Sequence, residues 1–365
     1  MVQSQKAPFD LGLSQSIGVR NKGGLCPLNC CHLRGVYREL RYFHGRRLLD
    51  GIDYVLKSRD LEEPRFVQQP LLEELEVGEI EGVPLFSYPQ VDFPISPNVA
   101  LGRNLNSILD ASSKTEMYLK LALIAGGTSA LWTLLTKGIS SGLSGGTMDI
   151  IYRIGVPKKV HELLDNVDIA VGSLQRRIQI GNIMAKGLMK NEVQRIVSIA
   201  GGSCLIPIEA IYQARKYGVQ IVNVDYSPKA NQKAEEILEL GRKKSDMGIG
   251  IKYLPSDILN EDIPDDIDSP KPQIFECTGF WEYLNPQDRE RLLTKVSSSL
   301  KVGDTLVLTA LFNNPQQALF DKMGFKKLNP QDFNEYIKQI VNSGLKVEKV
   351  YITPNKTYVT AVVSR

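Results

Sequence analysis

Two adjacent glycines, Gly201 and Gly202, lie in the stretch "IAGGSCLIP", residues 199–207, between an apolar β-like run and an amphipathic segment opened by Pro207. A glycine pair at a strand-to-helix turn lets backbone come close to a ligand, and the first N–H groups of the helix are free to hold it. Asp225 ends a second apolar run about twenty-three residues later, where a carboxylate can accept both hydroxyls of a ribose. Asp257 ends a third run, placed to accept from an exocyclic adenine amine. A fourth run ends in "TGFWEYL", residues 278–284, which offers Thr278, Gly279, Trp281, Glu282 and Tyr283 at the same level. Each feature has a plain structural alternative: a tight turn for the glycines, a helix cap for either aspartate, a surface helix position for Glu282. Their shared order at the ends of successive strands points to a cofactor that contains a nucleoside.

The elements that must position these residues follow from Arg195 onward. "RIVSIA" is a strand, and "IPIEAIYQARKYG" a helix with apolar residues at 208, 211 and 212 and a Gly218 stop. "VQIVNVD", "IGIKYLPSD", "PQIFECTGF" and "DTLVLTAL" are further strands, separated by the helical periods "PKANQKAEEILELGRKK" and "PQDRERLLTKVSSSLKVG". Such alternation predicts a mostly parallel sheet covered by helices on both faces, with its ligand at the carboxyl ends of the strands. After the helix "NPQDFNEYIKQIVNSG" come "LKVEKVYITP" and "KTYVTAVVS", joined by too few residues for a crossover, so the chain ends in an antiparallel hairpin. The expected fold is a doubly wound, seven-stranded, Rossmann-like α/β sheet at 191–365. Before it stand a Pro-rich arm at 1–100 and a helical cap at 101–190, together a mainly helical extension.

In the amino-terminal half, Arg34, Arg38 and Arg41 fall at helical spacing, with Arg46 and Arg47 nearby, as a solvated face or an anion-binding patch. "PLFSYPQVDFPISP", residues 84–97, holds four prolines and cannot be helical. "SKTE", residues 113–116, has capping-box form. It opens the apolar run Leu121 to Thr136, sixteen residues interrupted by Gly126 and Gly127. A bilayer needs about 20 residues, so two short buried helices are expected there and no stable membrane span. "CPLNCCH" has Cys30, Cys31 and His32 in sequence and nothing downstream to complete a tetrahedral metal set, so no metal is expected. Five scattered cysteines in 365 residues make no disulfide framework and point to a reducing, cytoplasmic setting. A net charge of +3 makes no case for nucleic acid.

Parallel strands, a glycine turn, acids after the second and third strands and a terminal hairpin resemble the class I S-adenosylmethionine-dependent methyltransferases over about Arg195 to Arg365. "IAGG" and "TGFWEYL" are most similar to a bacterial group in that superfamily whose first loop begins with alanine. The sequence departs from the usual pattern at Ser198, where an acid is common, and at Ala200 and Cys204, where glycines are common; Gly202 keeps the central glycine. The resemblance implies S-adenosyl-L-methionine as cofactor. Its site residues would be Ala200, Gly201, Gly202 and Ser203 in the turn, Asp225 and Tyr226, Asp257 and Ile258, and Thr278, Gly279 and Trp281. Glu282 and Tyr283 are the catalytic candidates.

The implied partner is a small-molecule acceptor, with a homo-oligomer compatible with the sequence. None of the three histidines, His32, His44 and His161, lies in the candidate segment, so a histidine base would come from the amino-terminal region. The stretch after the fifth strand, "LFNNPQQALFDKMGFKKL", is expected to border the acceptor, with Asn313 and Asn314 as polar contacts. Two other readings stand beside this one: an NAD-dependent dehydrogenase, because an acid after strand two suits either cofactor, and a catalytically inactive methyltransferase-fold binding protein, because the turn is degenerate.

Overall fold

The computed structural model describes residues 71–80, 82–88, 164–165, 167–190, 192–264, 267, 269–318 and 328–365. The arginine patch of 34–47, the cysteines of "CPLNCCH", the three histidines, the "SKTE" box and the apolar run 121–136 lie outside the described residues.

The elements are β1 (Leu75–Ile80), β2 (Val83–Ser87), α1 (Asp168–Lys190), β3 (Arg195–Ile199), α2 (Leu205–Ala214), β4 (Gln220–Val224), α3 (Pro228–Arg242), β5 (Gly250–Leu254), β6 (Ile274–Cys277), α4 (Pro286–Ser299), β7 (Thr305–Leu311), α5 (Phe333–Asn342), β8 (Lys346–Ile352) and β9 (Tyr358–Ser364). A 3-10 turn, Trp281–Tyr283, sits between β6 and α4. The seven strands expected from Arg195 onward all form. Their apolar residues alternate between two cores, Ile196, Ile221 and Ile274 packing toward α1, α2 and α3, and Val197, Val222 and Phe275 toward α4 and α5. Helices therefore cover both faces, as the alternation required.

The strand order is β1-β2-β8-β9-β7-β6-β3-β4-β5. From β5 to β7 every pairing is parallel, and β9 then inserts antiparallel between β7 and β8. The expected count of seven is corrected to nine. β1 and β2 form an antiparallel hairpin, and β2 pairs in parallel with β8 at Leu85 and Phe86. The reason is visible in the residues. β1 is "LEVGEI", mostly exposed, so it lacks an apolar face to announce it. β2 carries Pro84 near its start, outside the two residues, Leu85 and Phe86, that pair with β8.

The hairpin is docked by charge. Glu74 accepts from Lys186 of α1 at 2.9 Å and from Lys349 of β8 at 3.0 Å. The Leu72 N–H donates to Asn182 Oδ1 of α1 at 2.9 Å.

α1 spans 23 residues and buries Gln175, Arg176, Arg177, Gln179 and Asn182 along with its apolar side chains. A helix buried all round must satisfy its polar groups from its neighbours. Arg177 does so with a two-pronged pair to Glu209 of α2, Nε to Oε2 at 2.9 Å and Nη2 to Oε1 at 2.5 Å. Gln179 accepts from Thr360 of β9 and donates to the Ile352 carbonyl. Gln175 accepts from the Asn355 N–H in the β8–β9 turn. These bonds tie α1 to both ends of one sheet face. Among the described residues no helix is long and apolar enough to cross a membrane.

Two outcomes follow. Arg177→Ala leaves Glu209 buried without its partner and should cost about 3–5 kcal/mol in urea unfolding; a loss under about 1 kcal/mol would show that the pair does not hold α1. Burial alone would raise the Glu74 pKa, but hydrogen bonds from Lys186 and Lys349 hold it below its ordinary value of 4.5. Its contribution is complete above that value and lost as pH falls through the lower folded one. Amide exchange in β1 and β2 should accelerate over that acid window in the wild-type chain, and Glu74→Gln should abolish the pH dependence.

Candidate functional site

The turn after β3 has an unusual backbone. Ala200, Gly202 and Cys204 have φ of 50°, 55° and 49°, so every second residue over five positions is left-handed. These are the three places where the resembled family carries glycine. The left-handed conformation is present at all three, although only Gly202 adopts it without a Cβ penalty. Neighbours hold the two strained residues. The Ala200 N–H donates to the Val224 carbonyl at 2.8 Å, and the Cys204 side chain is fully buried in the core under α2. Burial pushes the Cys204 thiol well above its ordinary pKa, which leaves it a small apolar filler. The N-cap residue of α2, Cys204, makes no side-chain hydrogen bond to the helix, and Pro207 in the first turn has no N–H to satisfy.

Gly201 is required for close approach. A Cβ there would collide with Ser198 Oγ and come within 2.9 Å of Asn223 Oδ1. Gly202 is the converse case, with no atom within 4 Å of the place a Cβ would take. One glycine seats the turn on the sheet while the next faces open space.

Asp225 ties this turn to the end of β4. Its Oδ2 accepts from the Gly202 N–H at 3.0 Å and its Oδ1 from the Ser227 N–H at 2.8 Å. Each carboxylate oxygen retains a further lone pair. Tyr226 beside it is 78% exposed, its ring offered to solvent. Asp257 is exposed and caps its own turn, accepting from the Asn260 amide at 2.8 Å and the Leu259 N–H at 3.2 Å. The Asn260 amide leads the interactions that lower its pKa. Ile258 is buried behind it.

The segment after β6 is arranged differently from its sequence reading. Trp281 is completely buried, its indole N–H donating to Gln331 Oε1 at 2.6 Å and its ring meeting Tyr336 edge-on. It faces the α4 and α5 core and presents no ring to a ligand. Glu282 is buried, which overturns the surface-helix alternative, and it accepts from Arg176 Nη1 at 2.9 Å. Arg176 also lies over the Tyr358 ring at 4.2 Å. Tyr283 packs on the small cluster of Ile169, Leu311, Leu328 and Tyr358. Gly279, at φ 80°, passes beneath the guanidinium of Arg176 and donates from its N–H to Thr309 Oγ1. Asn314 is buried with its Oδ1 unpaired, while the Asn313 N–H donates to the Thr357 carbonyl.

Sequence reasoning missed a row of polar residues beneath the turn. Asn223, Ser198 and Glu276 are in register on β4, β3 and β6. All three are buried, and the Ser198 hydroxyl donates to Glu276 Oε1. Burial raises the Glu276 pKa. The signal available was one ionisable residue inside the apolar run "IFEC". Arg176 was missed too, because nothing in a single helical stretch shows which of its charges point inward. Among the described residues no group of His, Cys, Asp and Glu is placed to hold a metal ion.

No protein-family model matches the sequence, and no curated protein matches it. Solved structures do match the fold. A protein from Bordetella parapertussis described as a possible exported protein superposes with a TM-score of 0.54 at 16% identity, over 72% of this chain and 94% of that one. An O-methyltransferase family 2 protein from Planctomyces limnophilus in complex with apigenin gives 0.42 at 14% identity, over 75% and 98%. Magnesium protoporphyrin IX methyltransferase from Synechocystis with bound S-adenosylhomocysteine gives 0.44 at 14% identity, over 59% and 90%. At 16% identity the likeness to the first of these is one of fold.

Proposed function

We propose that this chain is an S-adenosyl-L-methionine-dependent methyltransferase acting on a small-molecule acceptor. One juxtaposition carries the reading: a turn left-handed at residues 200, 202 and 204 heads the first parallel strand of a sheet in which β9 inserts antiparallel between β7 and β8. An NAD-binding sheet of the doubly wound type continues in parallel through its sixth strand and has no such insertion. The open space at Gly202, the uncapped α2 and the spare lone pairs of Asp225 fit an adenosyl cofactor.

When bound, S-adenosyl-L-methionine supplies an electrophilic methyl group on a sulfonium. The chain's own part is orientation and exclusion of water. Asp225 accepts the ribose hydroxyls while bracing the turn through Gly202, and Tyr226 offers a ring to the base. Ser203 and the first N–H groups of α2 receive the carboxylate end. Asp257 and Ile258 flank the adenine, and Thr278 and Gly279 border the methyl group. Glu282 orients the acceptor from its buried pair with Arg176, Tyr283 lies beside it, and Trp281 fixes the segment from behind. In this reading residues 101–190 cap the acceptor side and 191–365 bind the donor, in a cytoplasmic protein.

A second reading, the same fold binding without turnover, is favoured by one observation. Both Asp225 oxygens already accept backbone N–H groups.

Calorimetric titration separates the readings. The chain should bind S-adenosylmethionine and not NAD; NAD binding alone would overturn the proposal, and binding of neither would sink both enzyme readings. Asp225→Ala should weaken donor binding at least tenfold, and equal affinity would remove Asp225 from the site. Ala200→Gly should stabilise the fold by about 1 kcal/mol through release of a left-handed Cβ, read as a raised unfolding midpoint, with donor affinity unchanged.

A further inference from the structure

α1, α2 and α3 lie on one face of the sheet, and each leads into a parallel strand. Their last turns therefore stand together at the amino edge of the sheet, opposite to the candidate site. The three ends are joined by hydrogen bonds. Lys216 Nζ, just after α2, donates to the Leu188 carbonyl of α1 at 2.8 Å, and Tyr212 Oη of α2 donates to the Ser245 carbonyl after α3 at 2.9 Å. They form one surface.

That surface is basic. Lys190, Arg215, Lys243 and Lys244 are exposed on it, with Lys216 among them. Among the described residues the acids beside these cations are Glu192 and Asp246, while Glu239 is paired with Arg242. The acidic stretch "EDIPDDID", residues 261–268, packs Ile263 and Ile267 into the opposite core beside α4. Cations at helix C-termini suit the helix dipole, which accounts for the charge alone. Two further features are left over. Met189 and Tyr217, each one residue beyond the bonded Leu188 and Lys216, are 60% and 69% exposed. Arg215 holds a left-handed backbone, φ 50°, at the C-cap of α2, where glycine is the unstrained residue. The chain thus carries a charge where the fold alone favours a glycine.

We infer that this end of the layer of α1, α2 and α3 docks on an anionic lipid bilayer, with Met189 and Tyr217 entering the headgroup region and Arg215 and the lysines around them facing the lipid phosphates. A tyrosine and an unbranched apolar side chain among cations match a membrane interface, apolar at one end and wet at the other. A nucleic acid would use the charges and the Tyr217 ring, but it gives an exposed methionine beside them nothing to do. Docking at the amino edge leaves the carboxyl edge open, so the inference stands apart from the methyltransferase reading.

The test is co-sedimentation of the full chain with vesicles of phosphatidylcholine alone and of equal parts phosphatidylcholine and phosphatidylglycerol. The chain should sediment with the mixed vesicles, come off them at high salt, and stay in solution with phosphatidylcholine alone. Arg215→Gly should weaken binding about fivefold, the share of one cation near an anionic surface. Its unfolding midpoint should stay level or rise, because glycine relieves the left-handed residue. Adding Tyr217→Ser should weaken binding further, and Lys338→Gln, an exposed cation of α5 on the other face, should leave it unchanged. Sedimentation with both kinds of vesicle or with neither overturns the inference, as does an equal loss in Arg215→Gly and Lys338→Gln. Release by inorganic phosphate beyond that by sodium chloride of equal ionic strength would assign the surface to a free anion, and tighter binding to single-stranded RNA than to vesicles would assign it to nucleic acid. Either result overturns docking on a bilayer.

Discussion

The site depends on a backbone constraint: three left-handed residues in five, where the parallel strand β3 hands over to α2. A left-handed residue with a Cβ stores about 1–2 kcal/mol. Strain of that kind persists only where the surroundings over-determine it. Here they do so from three sides. Asp225 grips Gly202, the Val224 carbonyl grips the Ala200 N–H, and the core closes over the Cys204 side chain. Gly201 lets the whole turn sink onto Ser198. The turn is shaped before any ligand arrives, so little ordering entropy is left for binding to oppose.

The helix before the first parallel strand belongs to that same construction. α1 is buried along most of its length, and its two adjacent arginines diverge by the helical angle of about 100° per residue. Arg177 reaches α2, the helix that begins at the turn, and Arg176 reaches the segment after β6. One helix thus fixes both walls of the site through charge, and Asn182 and Lys186 fix the added hairpin on its far side.

What could be read from the sequence was whatever depends on periodicity. From β3 onward the strands and helices sit within a few residues of their apolar runs, and the terminal hairpin followed from a connection too short for a crossover. β1 and β2 were hidden because an exposed acidic strand and a short, half-buried strand that carries a proline show no alternation. The site was legible where backbone decides, at Gly201, Gly202 and Asp225, and opaque where tertiary packing decides. An aromatic residue after a strand can turn toward ligand or toward core, and only the Gln331 amide and Tyr336 ring, fifty or more residues away, settle that Trp281 turns inward. Glu276 in "IFEC" looked like an interruption of a core strand, since its meaning lies in the register with Ser198.

Under the proposed function, the distribution of charge bears on rate as well as on affinity. During methyl transfer the sulfonium loses its positive charge while the ammonium keeps its own. A free carboxylate next to the sulfonium would stabilise the ground state more than the transition state and slow the reaction. The same carboxylate at the ammonium binds both states equally and adds only affinity. Glu282, in the segment that follows β6, has its charge offset by Arg176. Glu276, one layer below the turn, is buried in the field of the same Arg176 and accepts from Ser198. In the proposed methyl transfer, which consumes positive charge at the sulfonium, a carboxylate near that atom is best neutralised by a fixed partner, and Glu282 has one in Arg176.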